Sequence, residues 1–299
     1  MALAFLFPGQ GAASPGMGRD LAARSPSARE IFARADAALG RSLSALCFGD
    51  DPHPLTLTEN QQPAVLAVSA ASLADWRARG NPDPDFAAGH SLGEYTALYA
   101  AGAVDLEDAA RLVELRGRLM QEAVPPGDGG MAAVMGLDAA AIERLCAGLR
   151  AEGHEIWAAN HNGGGQTVIS GRADALRAAA EWLKDAGVRR IVPLDVSAPF
   201  HTPLMEPAAR KLEDALRAVA WRTPRFPVVS NVDARFHADA ASIPERLARQ
   251  VTSPVLWEDD ILALQAQGVS RVVEFEPGRI LGGLVRRIAP AIERLHASD

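Results

Sequence analysis

Cysteine is nearly absent from this 299-residue chain, which has only Cys47 and Cys146. Both fall in apolar, helix-like stretches. That excludes a disulfide framework and predicts two buried thiols in a reducing compartment. Lysine is equally scarce: of 30 basic residues only Lys184 and Lys211 are lysines, the usage of a GC-rich genome. No long basic run occurs, and the formal net charge is −7. A duplex nucleic-acid binder, which needs many phosphate contacts, is therefore not expected. No apolar run approaches ~18 residues, so no membrane span is expected. The apolar start, Met1 to Phe7, is too short for a signal peptide and lacks a basic flank, so the expected location is the cytoplasm. Metal-ligand spacings, a dinucleotide fingerprint, internal repeats and low-complexity tracts are all missing.

What remains is ordinary globular composition, 48% hydrophobic and 22% charged. The length allows one large domain, or one with an insert. Leu3–Phe7 reads as a buried strand and Pro8-Gly9-Gln10-Gly11 as the turn after it. Helices are predicted over about 27–40 and 60–78, and over the small-residue segment 92–101 with Gly102 as its stop. Another is expected over the strongly amphipathic segment 105–123. Between these helices Phe86-Ala87-Ala88 forms a short strand reaching Gly89. Pro125–Gly130 marks a boundary. Beyond it come a strand at 131–135, a helix at 138–150, strands at 156–160 and 167–170, a helix at 172–186 and a strand at 188–196. That order is the split β-α-β-β-α-β pattern of a ferredoxin-like unit. The body resumes near Ser197, with a strand at Val228-Val229, helices near 243–250 and 258–267, a strand at 272–275 and a last helix after Glu276-Pro277-Gly278. The expected fold class is thus α/β, a mainly parallel sheet carrying an inserted subdomain. The boundaries are 1–127 and 197–299 for the body and 128–196 for the insert.

The strongest local signal is Gly89-His90-Ser91-Leu92-Gly93, a Gly-x-Ser-x-Gly motif between a strand and a helix. There a serine sits on a sharp turn, its hydroxyl exposed at a helix N-terminus whose free N–H groups favour a developing oxyanion. The motif also fits a plain strand–helix turn with Ser91 as N-cap. A nucleophile needs a base, and the chain has seven histidines. His90 adjoins Ser91 and is expected to point away, while His53, His154 and His296 lie in polar stretches expected to be exposed. His201 follows a predicted strand in the loop Ser197–Pro203, stiffened by two prolines, where open α/β sheets place their sites. It is the candidate base, with a surface or capping histidine as the other reading.

Arg116 is out of pattern. On the helix 105–123 it lies in the middle of the arc formed by Ala109, Leu112, Val113, Leu119 and Met120. An arginine there cannot shed its charge and needs an anion. Two anions are open: an internal carboxylate, or a ligand carboxylate held by a bidentate clamp. Gln10, in the first turn, stands near where a second oxyanion donor is needed, and equally fits a plain turn glutamine. Asn162-Gly163-Gly164-Gly165 joins two strands with no helix behind it, so it is a hairpin turn rather than a phosphate cradle.

Together these segments resemble malonyl-CoA:acyl-carrier-protein transacylases and the related acyltransferase domains of polyketide synthases. The resemblance runs nearly end to end. It is carried by Phe7–Gly11, Thr58-Glu59-Asn60-Gln61-Gln62-Pro63-Ala64, Gly89–Tyr95 and Val113–Gln121. Later segments are Ala198–Met205, Ser230-Asn231-Val232-Asp233, Gln250–Trp257 and Glu276-Pro277-Gly278. It implies an α/β-hydrolase-like body with a ferredoxin-like insert. It also implies ping-pong transfer of malonyl from malonyl-CoA to the phosphopantetheine thiol of acyl carrier protein, in fatty acid or polyketide synthesis. In that scheme Ser91 takes the acyl group, His201 is base and acid, and the backbone carbonyl of Gln250 orients His201. The amides of Gln10 and Leu92 form the oxyanion hole, and Arg116 binds the malonyl carboxylate. Phe200 before His201 looks like the malonyl-selecting form, and Asn160 and Asn162 line the cleft. The resemblance implies no cofactor beyond the CoA and phosphopantetheine carried by the substrates, no nucleic acid or membrane partner, and a monomer. A serine hydrolase or a non-catalytic carrier-binding subunit would be expected to differ at these positions.

Overall fold

Two four-stranded sheets organise the chain, one wholly parallel and one antiparallel. The computed structural model describes residues 2–125, 127–196 and 198–299. Met1, Pro126 and Ser197, which fall in the expected first segment, at the boundary and at the return to the body, lie outside the described residues.

The first sheet grows around β1 (Ala2–Phe7), whose residues 4–7 are completely buried. Such an unbroken apolar run is what a parallel strand covered on both faces requires. It pairs with β2 (Phe86–Gly89) on one side and β7 (Val269–Glu274) on the other, and β8 (Glu293–His296) adds to β7. The register sets Phe7 beside Gly89, so the turns after β1 and β2 open side by side. Helices α1 (Arg19–Arg24), α2 (Pro26–Leu39), α3 (Leu43–Phe48) and α4 (Thr58–Ala78) follow β1. After β2 come α5 (Gly93–Ala100) and α6 (Leu106–Glu122). α4 is buried nearly all round, and α6 lies so close to it that a Cβ on Gly117 would meet the Thr58 carbonyl at 2.6 Å. That approach brings Gln62 of α4 against Arg116 of α6.

The second sheet contains β3 (Gly129–Met135), β4 (Ile156–Gly163), β5 (Gln166–Arg172) and β6 (Arg190–Pro193), in the order β4-β5-β3-β6. Helices α7 (Ala139–Ala151) and α8 (Ala173–Asp185) pack on it around Ile142, Cys146, Ile156 and Ile169. This is the ferredoxin-like arrangement read from the sequence. The hairpin at Gly163–Gly165 takes three positive φ angles, as a tight strand connection demands. The insert is tied to the body by backbone: Val255 donates to Ala159 at 2.9 Å and accepts from His161 at 2.9 Å. The chain then runs through α9 (Glu206–Ala218), α10 (Ser242–Thr252), α11 (Trp257–Ala266) and, after β7, α12 (Leu281–Ile288).

Some expectations need correction. The strand expected over 188–196 is ordered as strand only at Arg190–Pro193, where Pro193 removes a donor. Val228-Val229 makes single bridges, to Ala87 and to Phe236, rather than a strand. His296 is buried, not exposed: it ends β8, and its ring contacts Gly278 O at 2.8 Å. Among the described residues no helix is long and apolar enough to cross a membrane. Cys47 and Cys146 are both buried and free, and burial pushes both thiols up to about 12.

Candidate active site

Ser91 stands at the turn from β2 into α5 with φ of 54°, a left-handed conformation that a non-glycine residue holds at a cost of about 1–3 kcal/mol. The turn is forced by crowding. A Cβ on Gly89 would lie 1.9 Å from the Gly93 carbonyl, and one on Gly93 would lie 2.2 Å from the Phe7 oxygen. Only glycine fits at either place. The Ser91 N–H donates to Asn231 Oδ1 at 2.8 Å, which anchors the strained residue.

His201 also has positive φ, 59°, and is buried. Its Nε2 lies 2.7 Å from Ser91 Oγ and its Nδ1 2.8 Å from the backbone oxygen of Gln250 on α10. A carbonyl can only accept, so Nδ1 carries the proton and Nε2 is free to accept from the serine hydroxyl. Burial, and then the nearby Arg116 charge, pulls His201 from 6.5 down to about 3, so the imidazole is neutral at pH 7.

Arg116 is 1% exposed, although it cannot lose its charge at ordinary pH. Its Nη1 donates to Gln62 Oε1 at 2.7 Å, and its Nη2 to Gln250 Oε1 at 2.9 Å and to Ser91 Oγ at 3.0 Å. The guanidinium carbon stands 5.8 Å from the centre of the Tyr95 ring. Of the two readings open in the sequence, the internal ion pair is absent: among the described residues no carboxylate bonds to Arg116. Neutral amide oxygens hold the group and leave its charge available beside Ser91.

These residues face a cavity of about 500 Å3 between the two sheets. Gln10, Phe200, Asn160 and Asn162 also line it. Among the described residues, the backbone N–H groups of Gln10 and Leu92 have no acceptor within the protein, as free oxyanion donors would not. The Gln10 side chain is turned to Thr58 Oγ1, at 3.2 Å. The His90 ring turns toward the insert, with Nε2 2.9 Å from Asn162 Oδ1, and lines the cavity. Burial lowers its pKa below the usual histidine range.

Behind the serine lies a buried polar cluster in which the sequence reading gave a role only to Gln250, through its backbone carbonyl. Glu94 Oε1 accepts from His237 Nε2 at 2.8 Å, and both side chains are fully buried. Glu94 Oε2 accepts from the Asn231 N–H at 3.0 Å and from Gln250 Nε2 at 2.8 Å. Asn231 Nδ2 donates to Gly89 O and to Asp260 Oδ2. Burial, and then the Glu94 carboxylate, raises the Asp260 pKa well above the carboxylate range, which favours its neutral form. The available signal was Glu94 directly after the motif and Asn231 within Ser230-Asn231-Val232-Asp233, but nothing in linear spacing joins positions 94, 231, 237, 250 and 260. Among the described residues no group of three or more His, Cys, Asp or Glu is placed to hold a metal ion.

A serine on a forced turn, a neutral histidine bonded to it and a buried cation beside it define an acyl-transfer class of site. The chain belongs to the acyl transferase domain family, whose model matches residues 4–285. It is 45% identical over 297 residues to the malonyl CoA-acyl carrier protein transacylase of Bacillus subtilis, covering 99% of this chain and 93% of the relative. Among solved structures it resembles the malonyl-CoA:acyl carrier protein transacylase of Xanthomonas oryzae, with 45% identity, a TM-score of 0.95 and coverage of 99% and 94%. It also resembles a malonyl-transacylase solved in complex with a type II polyketide synthase acyl-carrier protein, with 42% identity, a TM-score of 0.96 and coverage of 99% and 96%.

Proposed function

We propose that the protein transfers malonyl from malonyl-CoA to the phosphopantetheine thiol of acyl carrier protein, supplying fatty acid synthesis. Ser91 Oγ attacks the thioester carbonyl while His201 Nε2 takes its proton. The N–H groups of Gln10 and Leu92 hold the oxyanion. The C–S bond breaks, His201 returns the proton to sulfur, and CoA leaves as the thiol. The carrier thiol then attacks the malonyl ester by the same steps in reverse. Gln250 O holds the imidazole in register and stabilises the imidazolium as a neutral acceptor. Phe200, Asn160 and Asn162 shape the cleft. The thiols arrive with the substrates, so the reaction needs no cofactor of its own. The body comprises 1–127 and 197–299 and the insert 128–196, and the enzyme works as a cytoplasmic monomer.

Arg116 carries this reading. A buried guanidinium that bonds to no carboxylate among the described residues, 3.0 Å from Ser91 Oγ, suits an acyl group that brings its own carboxylate. The test is incubation with malonyl-, methylmalonyl-, acetyl- and succinyl-CoA, followed by mass measurement of enzyme and carrier. Malonyl should load fastest. Equal loading of acetyl would overturn the reading. The likeness to a transacylase bound to a polyketide synthase carrier favours a second reading, in which the same chemistry serves a polyketide carrier. Rates with the two carrier types separate them.

A further inference from the structure

Gln250 is a two-ended link. Its side-chain oxygen accepts from Arg116 Nη2 at 2.9 Å. Its Nε2 donates to Glu94 Oε2 at 2.8 Å and to the Ser91 carbonyl at 3.0 Å. A primary amide can sit in a site either way round, and the two ends are nearly the same size. With the NH2 end turned inward, two donors would face each other at Arg116 and two acceptors at Glu94. A carboxylate accepts only, so Glu94, the charged and closer of the two acceptors beside the Ser91 carbonyl, demands the NH2 end and thereby presents the oxygen to the guanidinium.

We propose that Glu94 is a positioning residue for acyl-group selection: its carboxylate fixes which end of the Gln250 amide faces Arg116, and so holds the guanidinium in register with Ser91. The inference rests on the reading of Arg116 as the site for the acyl carboxylate. Three features support it. Glu94 is the second residue of α5, so the turn that aims Ser91 also aims Glu94 to the rear of the site. Both of its oxygens are occupied, one by His237 and the other by Asn231 N–H and Gln250, so the carboxylate is held from every side. Asn231, bonded to Glu94 through its N–H, in turn takes the Ser91 N–H on its side chain. One carboxylate thus connects the nucleophile turn, the residue whose backbone orients His201, and the arginine. It lends negative charge to the Arg116 surroundings at one remove, leaving the guanidinium unpaired for substrate.

The test compares kcat/KM for acyl-enzyme formation with malonyl-CoA and with acetyl-CoA, using the full-length protein and Arg116→Ala as reference. Glu94→Met removes both carboxylate acceptors and leaves the Gln250 NH2 held by the neutral Ser91 carbonyl alone, without its charged anchor. The malonyl-to-acetyl ratio should fall about 10- to 100-fold, the range for losing a hydrogen bond to a charged group. Glu94→Gln keeps an acceptor oxygen, because His237 can move its ring proton to Nδ1 and accept from the new NH2, and should recover most of the ratio. Gln250→Met keeps the backbone carbonyl that holds His201 and cuts the link. It should reproduce the selectivity loss, and the double variant Glu94→Met/Gln250→Met should be no less selective than Gln250→Met alone. A folded Glu94→Met enzyme with the wild-type ratio overturns the proposal. So does a Glu94→Gln ratio no better than that of Glu94→Met, which would assign the effect to charge alone. If Glu94→Met does not fold, an unchanged ratio in Gln250→Met overturns it. If Arg116→Ala collapses the ratio while these variants keep it, only the role of Glu94 fails. If Arg116→Ala also keeps it, the reading of Arg116 fails first.

Discussion

Arg116 Nη2 donates to Ser91 Oγ across 3.0 Å, while the same oxygen lies 2.7 Å from His201 Nε2. The serine hydroxyl is therefore shared between a fixed cation and a neutral base. On the proposed role of Arg116, a bound acyl carboxylate would compete for the cation and so release Ser91 from Arg116 as substrate arrives. The neutral partners of the guanidinium make this exchange accessible, because an internal carboxylate would have held it far more tightly.

Replacing Ser91 by alanine removes the hydroxyl oxygen that is bonded to His201 Nε2. Intact-protein mass spectrometry after exposure to malonyl-CoA should show the wild-type enzyme gaining a malonyl mass and Ser91→Ala gaining none. An adduct surviving in the variant would remove Ser91 from the mechanism.

Arg116→Ala should harm malonyl transfer far more than acetyl transfer. A charged, bidentate pair in a closed site contributes ~2–4 kcal/mol, so the difference in kcat/KM is about 30- to 1000-fold. Equal losses for the two acyl groups would show that Arg116 only supports the fold.

Stability should also depend on His201. Its folded pKa is lowered to about 3 by burial and then by Arg116, against 6.5 when solvated. Between these values the unfolded chain binds the additional proton. Its contribution is therefore fully retained above about pH 6.5 and is lost as the pH falls toward 3, at about 1.4 kcal/mol per pH unit. Urea unfolding of wild type and His201→Gln between about pH 5 and pH 7 measures this. The wild type should lose stability relative to the variant on acidification, and parallel profiles would contradict the assignment.

The parallel core strand, the sharp turn at Ser91, the insert and the arginine out of pattern on α6 were all legible in the sequence, because each is a local pattern of period or spacing. Helix α9 was not read, although Ala208, Leu212 and Leu216 recur at helical spacing. Pro207 is compatible with that helix, because it sits in the first turn, where proline is tolerated. Strand β8, with the sequence Glu-Arg-Leu-His, has almost no apolar signature, since its register against β7 is set by the sheet edge. The cluster of Glu94, Asn231, His237, Gln250 and Asp260 was invisible because it is assembled by tertiary packing from four separate segments. The His90–Asn162 contact was not legible either, because the insert that supplies Asn162 reaches over the turn.

The glycines around Ser91 give a prediction that needs no substrate. A methyl group at position 93 would stand 2.2 Å from the Phe7 oxygen, a backbone atom that cannot rotate away. Relief requires β1 and α5 to separate, which shifts both the Ser91 turn and the Gln10 turn that follows β1. Gly93→Ala should cost about 1–3 kcal/mol of stability, as overpacking does, and abolish acyl-enzyme formation even where the chain still folds. Gly283, in α12, is the control: nothing lies within 4 Å of its virtual Cβ. Gly283→Ala should stabilise the helix by about 0.5–1 kcal/mol and leave acylation at the wild-type rate. Thermal melts with mass-detected acylation distinguish the two, and a Gly93→Ala enzyme that melts and acylates like wild type would show that the turn is not set by this contact.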